Sequence, residues 1–161
     1  MESLVNRPIQ LLAVPPRKSS GTAPARSFIP VGSVSLLRRF EPARESMAAF
    51  LLRSSPERFP FESSGDGLCV LRISPARRGI GLPAGSLILL DSLHRCEPGG
   101  FSLLALCDGR ILIRKFLPRN DSICFRSVLN SGGSDFIWHP STEPDRLLWL
   151  YPILEFILPM F

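Results

Sequence analysis

Few residues in this chain combine the type and spacing that chemistry needs. Only Lys18 and Lys115 are lysines among the 19 basic residues. A lysine amine held uncharged can take the proton of a serine hydroxyl, which then attacks a carbonyl. Ser74 or Ser64 would complete such a pair with Lys115. Both also read as turn serines, the commoner role between strands. Arg77, Arg78 and Arg114 lie in the same part of the chain. An arginine stays protonated and can bind an anion but not accept a proton. Asp91, Glu97 and Asp108 fall at turns without the spacing of paired catalytic carboxylates. Cys69, Cys96, Cys107 and Cys124 form no Cys-x-x-Cys pair, and His94 and His139 are not their near neighbours. That spacing does not make a zinc site. Gly79-Ile80-Gly81 lacks the rest of a dinucleotide fingerprint. Trp138 in a loop and Trp149 in the last apolar run are either buried or, if exposed, binding anchors.

These residues need elements to hold them, and Leu68–Phe116 supplies most. The alternation predicts strands at Cys69–Ser74, Ser86–Asp91, Phe101–Cys107 and Arg110–Phe116. Asp108-Gly109 is a hairpin signal. Period two puts Ile111, Ile113 and Lys115 on one side of their strand, and Leu112, Arg114 and Phe116 on the other. Further strands are expected at Ser122–Leu129 and Leu147–Leu158. One helix is expected over Pro42–Arg53, with Pro42 in its first turn and Met47, Phe50 and Leu51 on its apolar face. Pro56–Gly67 and Pro75–Gly85 read as loops. Cys69, Cys107 and Cys124 sit in apolar strand patterns and read as small core residues.

Hydrophobic residues make up 45% of 161, enough for a buried core, and 16 prolines with 12 glycines favour a turn-rich β protein. The net charge of +5 arises before residue 61, where nine Lys/Arg meet four Asp/Glu; the remainder holds ten of each. Residues 1–41 therefore read as a basic, Pro/Ser-rich arm. Phe28, Ile29 and Val31 could pack from it as a short strand. Such an arm can touch DNA non-specifically or steer the chain to an acidic partner, and it is also the composition of a solvated flexible segment. No signal peptide is recognisable. Leu147–Phe161 is apolar but short of a spanning helix and carries Pro152 and Pro159. The expectation is a reduced, cytoplasmic protein without a membrane span.

The order of parts from Cys69 to Phe161 resembles the LexA/UmuD-like self-cleaving peptidases, which use a serine–lysine pair. Leu71-Arg72-Ile73-Ser74 resembles the strand before the nucleophile loop. Gly79–Asp91 resembles the segment after it, with Ala84-Gly85-Ser86 at a turn that is Asp-Gly-Asp in the family. Glu97–Leu106 is similar to the next turn and strand, and Asp108–Pro118 to the hairpin and lysine strand. Asn130-Ser131 matches an Asn-Ser after the following strand. The last apolar segment is similar to the C-terminal strand that pairs dimers. The catalytic parts depart from the pattern. In one register Arg77 stands near the nucleophile's place. In a second, Ser64-Gly65-Asp66-Gly67-Leu68 puts Gly67 there. Ile113-Arg114-Lys115-Phe116 sets Arg114 at the base's position, unless a bulge restores Lys115. No Ala-Gly or Cys-Gly cleavage site occurs in the first 60 residues.

The resemblance implies a mostly β fold: a LexA/UmuD-like C-terminal domain, residues 42–161, of twisted, partly barrel-like antiparallel sheets with one short N-terminal helix. It implies a pseudo-peptidase that binds without cutting, with no cofactor and no metal. The binding residues would be Arg77, Arg78, Arg114 and Lys115, with Ser74 and Lys115 as the fallback dyad. A homodimer would form through Trp149, Tyr151, Ile153, Glu155 and Ile157. The implied partners are an error-prone polymerase, the RecA filament or a repressor, in the bacterial SOS response to DNA damage or in phage control. Two alternatives stay open: a self-cleaving protease with a relocated dyad, and an unrelated small β-barrel binding module.

Overall fold

In a computed structural model the chain is described over residues 27–63, 65–74, 80–127 and 134–159. It divides into two compact units. One comprises Met1–Pro75, Pro83–Leu93 and Leu154–Phe161, the other Ala76–Leu82 and His94–Ile153.

The first unit opens with β1 (Ser27–Ser33), a 3-10 turn over Val34–Arg39 and helix α1 (Met47–Ser54). Strands β2 (Arg58–Phe61), β3 (Leu68–Arg72) and β4 (Leu87–Asp91) follow. β1 pairs antiparallel with β2 and parallel with β3, and β3 pairs antiparallel with β4. A parallel neighbour needs a long crossover, and α1 lies within this one. The two periods of the pleat are both buried. Ile29, Val31, Leu68, Val70 and Leu89 form one cluster, with Phe59, Phe61, Leu87 and Leu154 against it. Gly32, Leu71 and Ile88 share the opposite face through the strand register. There α1 packs on β1 and β3, and a Cβ on Gly32 would collide with Leu51 Cδ2.

The second unit is an antiparallel meander. β5 (Phe101–Leu106), β6 (Ile111–Pro118), β7 (Ile123–Ser127) and β8 (Phe136–Trp138) pair in that order. The β5–β6 hairpin turns at Asp108-Gly109. Asp108 Oδ1 accepts from the Arg110 amide at 3.0 Å, and Gly109 has φ +88°, a conformation that suits glycine. Leu104, Leu106, Leu112, Phe125 and Phe136 form the cluster on one face.

The eleven-residue β9 (Leu147–Ile157) contributes to both units. Its first part pairs antiparallel with β5 from Leu147↔Leu106 to Pro152↔Ser102. The full ladder order is β2-β1-β3-β4-β9-β5-β6-β7-β8. Pro152, which has no N–H to give, is the last β9 residue in register with β5.

The chain is thus mostly β with one short α-helix, as its composition implies. Several expectations change. The sheet is mixed rather than antiparallel, because β1 joins β3 in parallel. It is not a closed barrel: β2 and β8 are the two ends of the ladder. The helix starts at Met47 rather than Pro42, because Ser46 takes the N-cap and its Oγ accepts from the Ala49 amide at 3.2 Å. β2 and β8 form in stretches that read as loops. Pro60 fits β2 because an edge strand tolerates a missing donor. Cys107 is exposed rather than core, since β5 ends at Leu106 and the turn begins there.

Candidate functional site

On β6 the pleat sends consecutive side chains to opposite faces. Arg114 lies opposite Ser102 on β5 and Ser127 on β7, while Lys115 lies opposite Phe101 and Arg126. Two of the expected binding residues, Arg114 and Lys115, therefore face apart, as the period of the strand predicts. Arg114 is buried, 4% exposed. Its Nη1 donates to Ile113 O at 2.8 Å, and its own carbonyl accepts from Ser102 Oγ at 2.8 Å. Burial pushes the Arg114 pKa below the usual arginine value; Asp135 opposes this and Arg110 adds to it. An arginine so shifted still carries its charge at any physiological pH.

Arg114 lines a pocket of about 430 Å³ within the second unit, together with Arg110, Arg146, Asp135, Ser134, Leu112, Phe136 and Ile137. Three chain segments converge there. Arg110, just before β6, and Leu112 and Arg114 within it are alternate residues. Ser134–Ile137 leads into β8, with Asp135 Oδ1 accepting from the Ser127 amide at 2.9 Å. Arg146 ends the 3-10 turn Pro144–Arg146 before β9. Its guanidinium carbon lies 4.4 Å from the Phe136 ring centroid, a cation–π contact. The loop carrying Arg146 is tied back to β8, because Trp138 Nε1 donates to Glu143 O at 2.8 Å. Trp138 is half-buried and Trp149 buried, so their rings are packing and tethering residues.

The exposed ends of two arginines have carboxylate neighbours. Arg110 Nε contacts Asp108 Oδ2 at 2.8 Å, and Arg146 Nη1 lies 3.3 Å from Glu143 Oε2. The Arg110 pair is solvent-exposed and the Arg146 pair half-buried, and exposed pairs contribute about 0–1 kcal/mol. Among the described residues these pairs engage neither the Arg110 terminal nitrogens nor the Arg146 Nη2. Chemically, the pocket brings three guanidinium groups together with one carboxylate, Asp135. Among its lining residues it holds no lysine, cysteine or histidine to act as base or nucleophile.

The other expected site residues are not gathered here. Ser74 follows β3 in the first unit, while Lys115 belongs to the second. Arg77, Arg78, Ser64 and Asn130-Ser131 lie outside the described residues. Gly67 is buried, and its carbonyl accepts from the Ser92 amide at 2.7 Å and from Ser92 Oγ at 2.9 Å. A side chain there would place Cβ 2.5 Å from Asp91 Oδ1 and 2.9 Å from Leu93 Cβ. Gly67 thus closes a tight turn rather than vacating a nucleophile's space. Within β9, Trp149 and Ile153 are buried, and Tyr151, Glu155 and Ile157 are half-buried.

Four cysteines are free. Burial pushes the Cys69 thiol up to about 12, with Asp91 adding to the rise, and burial alone does the same for Cys96. These are poor nucleophiles, because the thiolate is the reactive form. Among the described residues no group of three or more His, Cys, Asp or Glu could hold a metal ion, and no helix is long and apolar enough to cross a membrane.

Reading the chain alone singled out Arg114 but missed Arg110, Arg146 and Asp135. Arg110 was reachable, since it shares Arg114's parity along the strand. Arg146 and Asp135 arrive through other segments and leave no local pattern. No protein-family model matches this chain, and no curated protein matches it.

Proposed function

We propose that this chain is a non-catalytic interaction protein of the LexA/UmuD-like kind, which dimerises and holds a protein partner of the DNA-damage response or of repressor control. The observation that carries the reading is Arg114. At the position where the resemblance expects a general base, the side chain is a buried guanidinium, which cannot accept a proton. The candidate nucleophile positions support it too. Gly67 has no room for a hydroxyl-bearing side chain without displacing Asp91, and the elevated thiols of Cys69 and Cys96 do not replace a serine. What is left is a β scaffold with a cationic pocket, which suits recognition better than turnover.

Incubating the purified chain at alkaline pH, where a lysine base would be deprotonated, tests this directly. Its mass is expected to stay unchanged over days by electrospray mass spectrometry. A shortened product that disappears in Lys115→Ala would overturn the proposal in favour of a self-cleaving protease with a relocated dyad.

A further inference from the structure

On the meander of the second unit, the face opposite the Leu104–Phe125 cluster carries cations and aromatic rings side by side. The strand register places Phe101, Lys115 and Arg126 in one row across β5, β6 and β7. Leu117 and Ile137 extend the face on one side of that row, and Tyr151 on the other. Solvent reaches this part of the face. Arg126 is exposed, Ile137 is 43% exposed, and Phe101, Lys115, Leu117 and Tyr151 are half-buried. Beside Phe116 and Leu117 the neighbouring chain is Gly99-Gly100, joined to Phe116 by backbone bonds of 2.7 and 2.8 Å, and it adds no side chain of its own.

Lys115 and Arg126 are direct cross-strand partners. Like charges so placed, with Cβ atoms about 5 Å apart, repel one another. Among the described residues neither joins an ion pair. Asp135 follows beyond Arg126 on the way into β8, but its Oδ1 accepts from the Ser127 amide and it lines the pocket with Arg114. Charge complementarity therefore calls for an anion at Lys115 and Arg126. The rings beside them select an anion that also carries flat π faces, since any base can stack on an aromatic side chain while its phosphates meet the cations. A duplex keeps its bases paired inside and offers mainly phosphates. We propose that this face binds single-stranded nucleic acid, with bases on Phe101 and Tyr151 and the backbone at Lys115 and Arg126.

The inference goes beyond the interaction reading and does not depend on it. The test is fluorescence anisotropy of the full chain with labelled oligothymidine and oligouridine, against a DNA duplex of the same length and against polyglutamate. Both single strands are expected to bind about tenfold or more tightly than the duplex, because one stacked base contributes that much. Phe101→Leu and Tyr151→Leu, which keep an apolar side chain but no ring, are each expected to lose about tenfold. Lys115→Gln/Arg126→Gln is expected to flatten the slope of log affinity against log salt by about 1.4, the effect of two lost phosphate contacts on a single strand. Its thermal midpoint is expected to be no lower than that of the parent, because the cross-strand repulsion is relieved. A lowered midpoint would show that the two charges serve the fold, and would overturn the proposal. So would duplex or polyglutamate bound as tightly as the single strands, an unchanged salt slope in the double variant, or full affinity in both leucine variants. Self-cleavage at alkaline pH would remove the interaction reading and leave these titrations standing.

Discussion

At Gly67 a single hydrogen atom keeps two segments together. The backbone of the turn before β3 comes close enough for Ser92 to accept the Ala48 amide at 3.3 Å while donating to Gly67 O. Replacing Gly67 with serine restores the residue type that one alignment with the peptidases would want, and it tests that alignment. The Cβ would press on Asp91 Oδ1 and Leu93. Overpacking of this sort costs about 1–3 kcal/mol. Gly67→Ser is therefore expected to lower the unfolding free energy, measured by urea titration, by that amount and to produce no cleavage. Unchanged stability would show that the turn has room for a hydroxyl, and the second alignment would regain its standing. Arg114 makes a similar point. Its position on β6 was visible from alternation, but its burial and its neighbours were not.

Among the elements, α1 shows how one cap decides a boundary. Pro42 is acceptable early in a helix, yet residues before Ser46 turn instead. Ser46 Oγ satisfies the Ala49 amide, and Met47, Phe50 and Leu51 then fall together on the buried side. Ser46→Ala is expected to destabilise the first unit by about 1 kcal/mol, within the usual cost of losing an N-cap. Thermal unfolding followed at 222 nm measures it; no shift would mean that packing of α1 alone sets where the helix begins. β2 and β8, the ladder's ends, are each short and carry mixed exposure. That is why neither produced a clear alternation.

For the molecule as a whole, β9 is the shared strand. Its first part is already bonded to β5, so a second copy pairing along that same edge would have to displace β5. A dimer built on β9 would instead use side chains, and Leu148 is 54% exposed there. The chain is expected to sediment as a dimer, with Leu148→Glu shifted towards monomer at unchanged circular dichroism. A dimer indifferent to Leu148→Glu would move the interface away from this strand. The excess positive charge lies before residue 61, outside the second unit and its arginine pocket. Arm and sheet face are therefore separable in experiments: salt dependence that survives loss of Lys115 and Arg126 would belong to the arm.

Local chemistry in the chain determined the β character, the Asp108-Gly109 hairpin, six of the strands, the apolar face of α1 and the opposite facing of Arg114 and Lys115. Each follows from period, turn residues or branching within a few positions, which a linear reading can see. Tertiary structure decided the rest. The parallel β1–β3 pairing joins residues some forty apart, and the Arg110–Arg114–Arg146 pocket joins β6, the approach to β8 and the turn before β9. Convergence of that kind depends on which strands become neighbours, a property of the whole sheet that no short window of residues encodes. The stretch that resembles a peptidase core supplied the strand, and the fold supplied the company that Arg114 keeps.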